Sequence, residues 1–101
     1  MTAPRRVLRY VVPIDDHAHE IADGEVLMAH RERGAEWPAR SIEVWVEAEI
    51  LDSTTRAPQF LEPVATRAAQ VFGTGHPLPA SAEHLASCID DQLVWHLYGV
   101  L

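Results

Sequence analysis

Val71-Phe72-Gly73-Thr74-Gly75-His76-Pro77 is the stretch on which the fold turns, together with its partner near the end, Leu93-Val94-Trp95-His96-Leu97. Each reads as an extended strand bearing a histidine. The first breaks at a Gly/Pro turn, because glycine admits positive φ and close backbone approach while Pro77 fixes the exit. The second runs on, with Leu93, Trp95 and Leu97 on one face and Val94, His96, Tyr98 and Val100 on the other. Apolar residues on both faces predict a central strand. If the two segments are neighbours, His76 and His96 lie close together.

Outward from these, the clearest alternation is Ser41 to Ile50. Ile42, Val44, Val46, Ala48 and Ile50 share a face, opposite Glu43, Trp45, Glu47 and Glu49, which predicts a sheet with an inner and an outer side. Trp45 breaks the polarity of the outer side, so either a loop or a second copy should cover it. Val7 to Val12, ending at Pro13, reads as a strand that Pro13 places on an edge or closes as its last residue. Further strands are predicted over 17–21, 67–74, 84–89 and 92–100, and over 25–31, where apolar residues on both faces also fit a helix. Asp23-Gly24 suits a positive-φ turn, 33–40 a hairpin connection holding Trp37-Pro38, and Asp15-Asp16 and Asp90-Asp91 ordinary turns. Residues 1–6 read as a tail, and 52–66, with Pro58 and Pro63, as a long loop tacked down by Phe60 and Leu61. The expectation is one all-β domain over 1–101, an antiparallel sandwich or small barrel of six to seven short strands.

Composition narrows the function classes. The 101 residues carry a formal net charge of −7, with eight Lys+Arg, all arginine. Such a chain repels phosphate backbones, so general nucleic-acid binding is not expected. The arginines at 5, 6 and 9 read as a solvated end. A lone cysteine, Cys88, precludes an intrachain disulfide and suits a reducing compartment. No apolar run reaches the length of a membrane span, and a cytoplasmic protein of a bacterial host is expected.

Several segments together resemble a small domain of unknown function common in bacteriophage and prophage genomes. They are Val7-Leu8-Arg9-Tyr10, Gly24 before a strand, Trp45 in a middle strand, Gly73-Thr74-Gly75-His76-Pro77 and Leu93-Val94-Trp95-His96-Leu97-Tyr98. The likeness runs from about Val7 to Tyr98 and departs at the Pro-bearing insert between Asp52 and Thr66. It implies an all-β fold and a phage accessory role in an actinobacterial-type host; it brings no activity with it.

The chemistry-bearing residues point first to binding. A homo-oligomer joined around Trp45 is the leading expectation, with a host protein as a further partner. The alternative is a pocket for a small nucleotide-type signal framed by His76, His96, Trp37, Trp95, Arg56 and Arg67. A third is a metal-dependent enzyme, in which His17 and His19, two apart on one strand face and beside Asp15-Asp16, would be ligands. Known ligand spacing is missing, so no metal or other cofactor is assigned. Gly73-x-Gly75 is too short for a dinucleotide fingerprint. Cys88, between apolar neighbours and ahead of two aspartates, reads as a buried thiol of raised pKa and not as a nucleophile.

Overall fold

The computed structural model describes residues 4–34, 36–51 and 61–100. Seven strands build two antiparallel sheets: β1 (Arg5–Pro13), β2 (His19–Ala22), β3 (Glu25–Arg31), β4 (Ser41–Glu49), β5 (Thr66–Gly73), β6 (Glu83–Asp90) and β7 (Leu93–Val100). The sheet orders are β1-β4-β3 and β2-β5-β7-β6. No helix occurs among the described residues. The all-β expectation holds, with β1 on an edge and β7 in a sheet interior. The two histidine-bearing segments are neighbours, since β5 pairs with β7 and sets Phe72 opposite His96.

The core lies between the sheets. Ile42, Val44, Val46 and Ala48 of β4 face Ile21, Ala69, Val71 and Leu97 of the other sheet, all buried, with Val12 and Cys88 closing the cluster. These side chains stand two apart on their strands, as the period of a pleated strand requires. Burying each of the larger ones is worth about 1.5–3 kcal/mol.

Several local expectations are corrected. The chain enters β1 at Arg5, so Arg5 and Arg6 belong to a strand and not to a tail. Arg5 bonds Glu47 and Arg9 bonds Glu43, which makes this arginine row part of a sheet face. Asp23-Gly24 does form the bend between β2 and β3, which belong to different sheets, but without positive φ at Gly24. Gly24 is instead required sterically: a Cβ there would run into the Glu47 carbonyl and lie 2.8 Å from Ala48 Cβ. Within the expected long loop, 52–60 and hence Phe60 and Arg56 lie outside the described residues. The end of that loop is ordered alongside β4, with Ile50 bridged to Pro63 and Val64 N–H donating to Glu49.

The largest correction concerns Asp90. It is not a turn residue but the last residue of β6, with no solvent exposure. Its carboxylate accepts from Ala39 N–H at 2.8 Å and Trp95 Nε1–H at 3.4 Å, and its other oxygen lies 3.6 Å from Arg31 Nε. Its backbone carbonyl accepts from Trp37 Nε1–H. One buried acid thus ties the cis Trp37-Pro38 loop to both sheets. The turn falls on Asp91, whose φ of 56° is the left-handed conformation that Asp tolerates better than most residues.

Candidate functional site

The outer face of β5, β7 and β6 differs from the outer face of the opposite sheet. Registers place Ala68, Gln70 and Phe72 of β5 beside Val94, His96, Tyr98 and Val100 of β7, and these beside His84, Ser87 and Ile89 of β6. None of these residues carries a formal charge, in a chain whose net charge is −7. The opposite outer face, on β1-β4-β3, is by contrast crossed by ion pairs from Arg5, Arg9, Glu43 and Glu47.

Rings and hydroxyls organise the uncharged face. Phe72 meets Tyr98 edge-on at 5.9 Å between centroids, and His84 meets Tyr98 at 5.3 Å. Ser87 Oγ stands 2.8 Å from both His84 Nε2 and His96 Nδ1, and Thr74 Oγ1 stands 2.9 Å from His96 Nε2. Thr74 also donates to the Val94 carbonyl at 3.4 Å, which sets the direction of the chain. His96 Nε2–H then donates to Thr74, Ser87 donates to His96 Nδ1, and His84 Nε2–H donates to Ser87. With neutral imidazoles, this chain of bonds orients each hydroxyl.

A bulge in β6 creates this arrangement. The two-residue turn at Asp91-Gln92 sets Ser87 opposite His96, but continuing the same count would set His84 opposite Gly99. The register slips between His84 and Ala86, which brings His84 opposite Tyr98 on the outer face.

Two clefts flank His76. One, about 170 Å³, is lined by Phe72, Thr74, His76, Leu78, His96 and Tyr98, so both histidines singled out in the sequence border it. The other, about 330 Å³, runs between the β1–β2 connection and the free side of β5, with Asp15, Asp16, His76 and Trp95 in its walls. The glycines behave as the motif predicts: Gly75 has φ of 87°, and a Cβ on Gly73 would lie 3.2 Å from His76 Cδ2 and 3.4 Å from Trp95 Cζ3. Gly73 therefore lets the imidazole and the indole pack against the strand end.

The remaining sequence candidates are not gathered here. Arg67 lies at the far end of β5, where it passes over Gly99 to reach Glu83 at 3.0 Å. Trp37 lines a separate open cleft with Glu36, Pro38 and Arg40. His17 is not on a strand but in the bend before β2; its backbone N–H donates to Asp15, while His19 Nε2 lies 2.9 Å from the same carboxylate. That histidine contact is the main reason Asp15 titrates below the ordinary carboxylate range. No group of three or more His, Cys, Asp or Glu among the described residues could hold a metal ion. Trp45 is half-buried, and the Arg33 guanidinium from the β3–β4 connection sits 5.8 Å above its ring. The loop alternative thus applies to at least one side of the indole. Arg33 also reaches Glu43, which, with Arg9, leaves that outer-face glutamate buried and not exposed as its strand position predicts. Cys88 is buried, and burial first, then Asp90, pushes its thiol pKa up.

With this geometry in place, comparison with known proteins settles the kinship. Residues 3–101 match a family described as a domain of unknown function, DUF7352. The chain belongs to the DUF7352 family. The match covers both histidine segments of the DUF7352 domain and all seven of its strands. No curated protein and no solved structure matches it.

Proposed function

We propose that this DUF7352 domain is a binding protein without catalytic activity, an accessory protein of phage or prophage origin in the host cytoplasm, and that it recognises its partner through the uncharged face of β5-β7-β6. The observation that carries the reading is the composition of that face. Aromatic, imidazole and hydroxyl groups are concentrated where an acidic chain of this kind would ordinarily place carboxylates, which favours recognition by stacking and hydrogen bonding over ion pairing. Hydrogen bonding among Thr74, His96, Ser87 and His84 preorganises the donors and acceptors, which lowers the ordering cost on binding. The cleft shared by His76 and His96 keeps the nucleotide-type signal among the ligand classes; Arg67 and Trp37 lie away from it.

Size helps to choose the partner. Three strands about 4.8 Å apart and eight residues long present roughly 400 Å² per side. A second copy docked there would bury about 800 Å² in all, below the roughly 1,200–2,000 Å² of a stable protein pair. A small molecule or a short segment suits the face better. The test is a thermal-shift screen against nucleotides and aromatic metabolites, repeated on Tyr98→Ala and His96→Ala. A ligand at ten times its Kd stabilises by about 1.4 kcal/mol, so a shift of several degrees is expected, lost in both variants. Shifts that persist in both variants refute the assignment to this face.

A homo-oligomer through the opposite sheet is the second reading. It is favoured by Val7, Val11 and Met28, which stand about half exposed near Trp45 on the outer side of β1-β4-β3. Sedimentation of the wild type and of Trp45→Glu tests it: a dimer that dissociates in the variant supports it, and a monomeric wild type removes it.

A further inference from the structure

Strand β5 has eight residues, but β2 covers only half of its outer edge. The β2 pairing runs from Ala22 opposite Thr66 to His19 opposite Ala69 and stops there. Before His19 the chain bends away through 14–17, and Ile14 N–H turns to the Arg40 carbonyl. On that side, Gln70 to Gly73 meet no strand among the described residues. The 330 Å³ cleft lies along this uncovered edge. Alternate residues of a strand aim their N–H and C=O toward each side, so two of these four aim main-chain groups at the cleft, apart from the Gly73 carbonyl, which accepts from His76 N–H at 3.2 Å.

An uncovered edge next to a cleft is the arrangement used when a peptide adds a strand to a sheet. Length and walls both fit that use. Four residues span about 13 Å of strand. Where β2 has left, Asp15 and the exposed Asp16 form one wall, while Trp95 and His76 form the other end. Asp15 is held by His19, which leaves the exposed Asp16 as the carboxylate of that wall open to a guanidinium or ammonium group. Side chains on the added strand would alternate between the core-side cleft and the uncharged outer face next to Gln70 and Phe72.

We propose that the partner is an extended peptide segment carrying a cationic side chain, which pairs with Gln70–Gly73 of β5 in the line of β2 and places its cation against Asp16. This deepens the proposed function and rests on it, since half of the segment's side chains would lie on the uncharged face.

The experiment is an NMR titration of the ¹⁵N-labelled domain with three capped hexapeptides: Thr-Val-Arg-Val-Thr-Val, the same peptide with Asp in place of Arg, and the Arg peptide N-methylated at alternate residues. The expected result is perturbation and slowed exchange of amides within 70–73, with binding weakened at least tenfold by Asp and at least tenfold by N-methylation. The Asp16→Asn variant should lose most of the preference for Arg over Asp while keeping the main-chain pairing. Perturbation that centres on β6 and β7, with equal binding of the N-methylated peptide, overturns strand addition but leaves the uncharged face as the binding surface. Failure of all three peptides to perturb 70–73 at 2 mM also overturns it. The small-molecule screen would then decide separately whether the face binds anything.

Discussion

Removing the Asp90 carboxylate by Asp90→Ala should destabilise the domain more than any other single change at a polar residue described above. Three losses add up. Ala39 N–H, buried and bonded at 2.8 Å, loses its acceptor, which costs about 1–3 kcal/mol. Trp95 Nε1–H loses a longer bond, worth a fraction of that. Arg31 loses a charge 3.6 Å away; breaking a fully buried pair costs about 3–5 kcal/mol, but the Arg31 side chain is 31% exposed and can turn toward water. The sum is roughly 2–4 kcal/mol, a large part of the 5–15 kcal/mol expected of a domain this size. Asp90→Asn keeps an acceptor for Ala39 and gives up only the charge, so its cost should be about 1–2 kcal/mol. Urea unfolding followed by tryptophan fluorescence measures both. An alanine variant within 1 kcal/mol of wild type, or an asparagine variant worse than alanine, would refute the view that Asp90 ties the Trp37-Pro38 loop to the two sheets.

Three further outcomes are expected. Gly73→Ala should displace the His76 ring, whose Cδ2 would lie 3.2 Å from the added Cβ; His76 imidazole NMR shifts unchanged from wild type would contradict that packing. Asp15 titrates low when folded, so it contributes stability above its unfolded pKa of about 3.9, and that contribution fades as pH falls through the lower folded value. Between pH 5 and 3, Asp15→Asn should therefore lose less stability than wild type, and equal slopes in a pH series of urea midpoints would count against the His19 contact. The Cys88 thiol, buried and raised in pKa, should react with a thiol reagent at least a hundredfold more slowly in the native protein than in urea; rapid native labelling would show that the strand opens or that the residue is exposed.

Most of the scaffold was legible because its strands follow a period of two. Ile42 to Ile50 announced an inner face, and Leu93 to Val100 announced an interior strand, by residue type alone. The neighbouring placement of β5 and β7 was legible from the paired histidine segments. Where sequence reasoning failed, non-local pairing decided the outcome. Asp90 looks like a turn residue beside Asp91, and only contacts with Ala39 and Arg31, each more than fifty residues away, explain why its carboxylate is buried. Gly24 signalled a positive-φ turn, but its lack of a side chain serves a close crossing between sheets.

The same contrast holds for the candidate site. His76 and His96 were visible, and Ser87 could have been found by counting back from a two-residue turn at Asp91-Gln92. His84 could not, because the slip after it is a bulge that leaves no mark in the sequence. Arg67 and Trp37 were grouped with the histidines by chemistry, and the fold sends them elsewhere, Arg67 to Glu83 and Trp37 to the Asp90 carbonyl.

The claim on which the functional account depends is that the uncharged face of β5-β7-β6 is the surface that binds. Mapping a library of small uncharged and aromatic fragments by ¹H–¹⁵N NMR tests this most directly. Hits should converge on the amides of Phe72, Ser87, His96 and Tyr98. Convergence on β1-β4-β3 around Trp45, or shifts scattered evenly over both sheets, would contradict it.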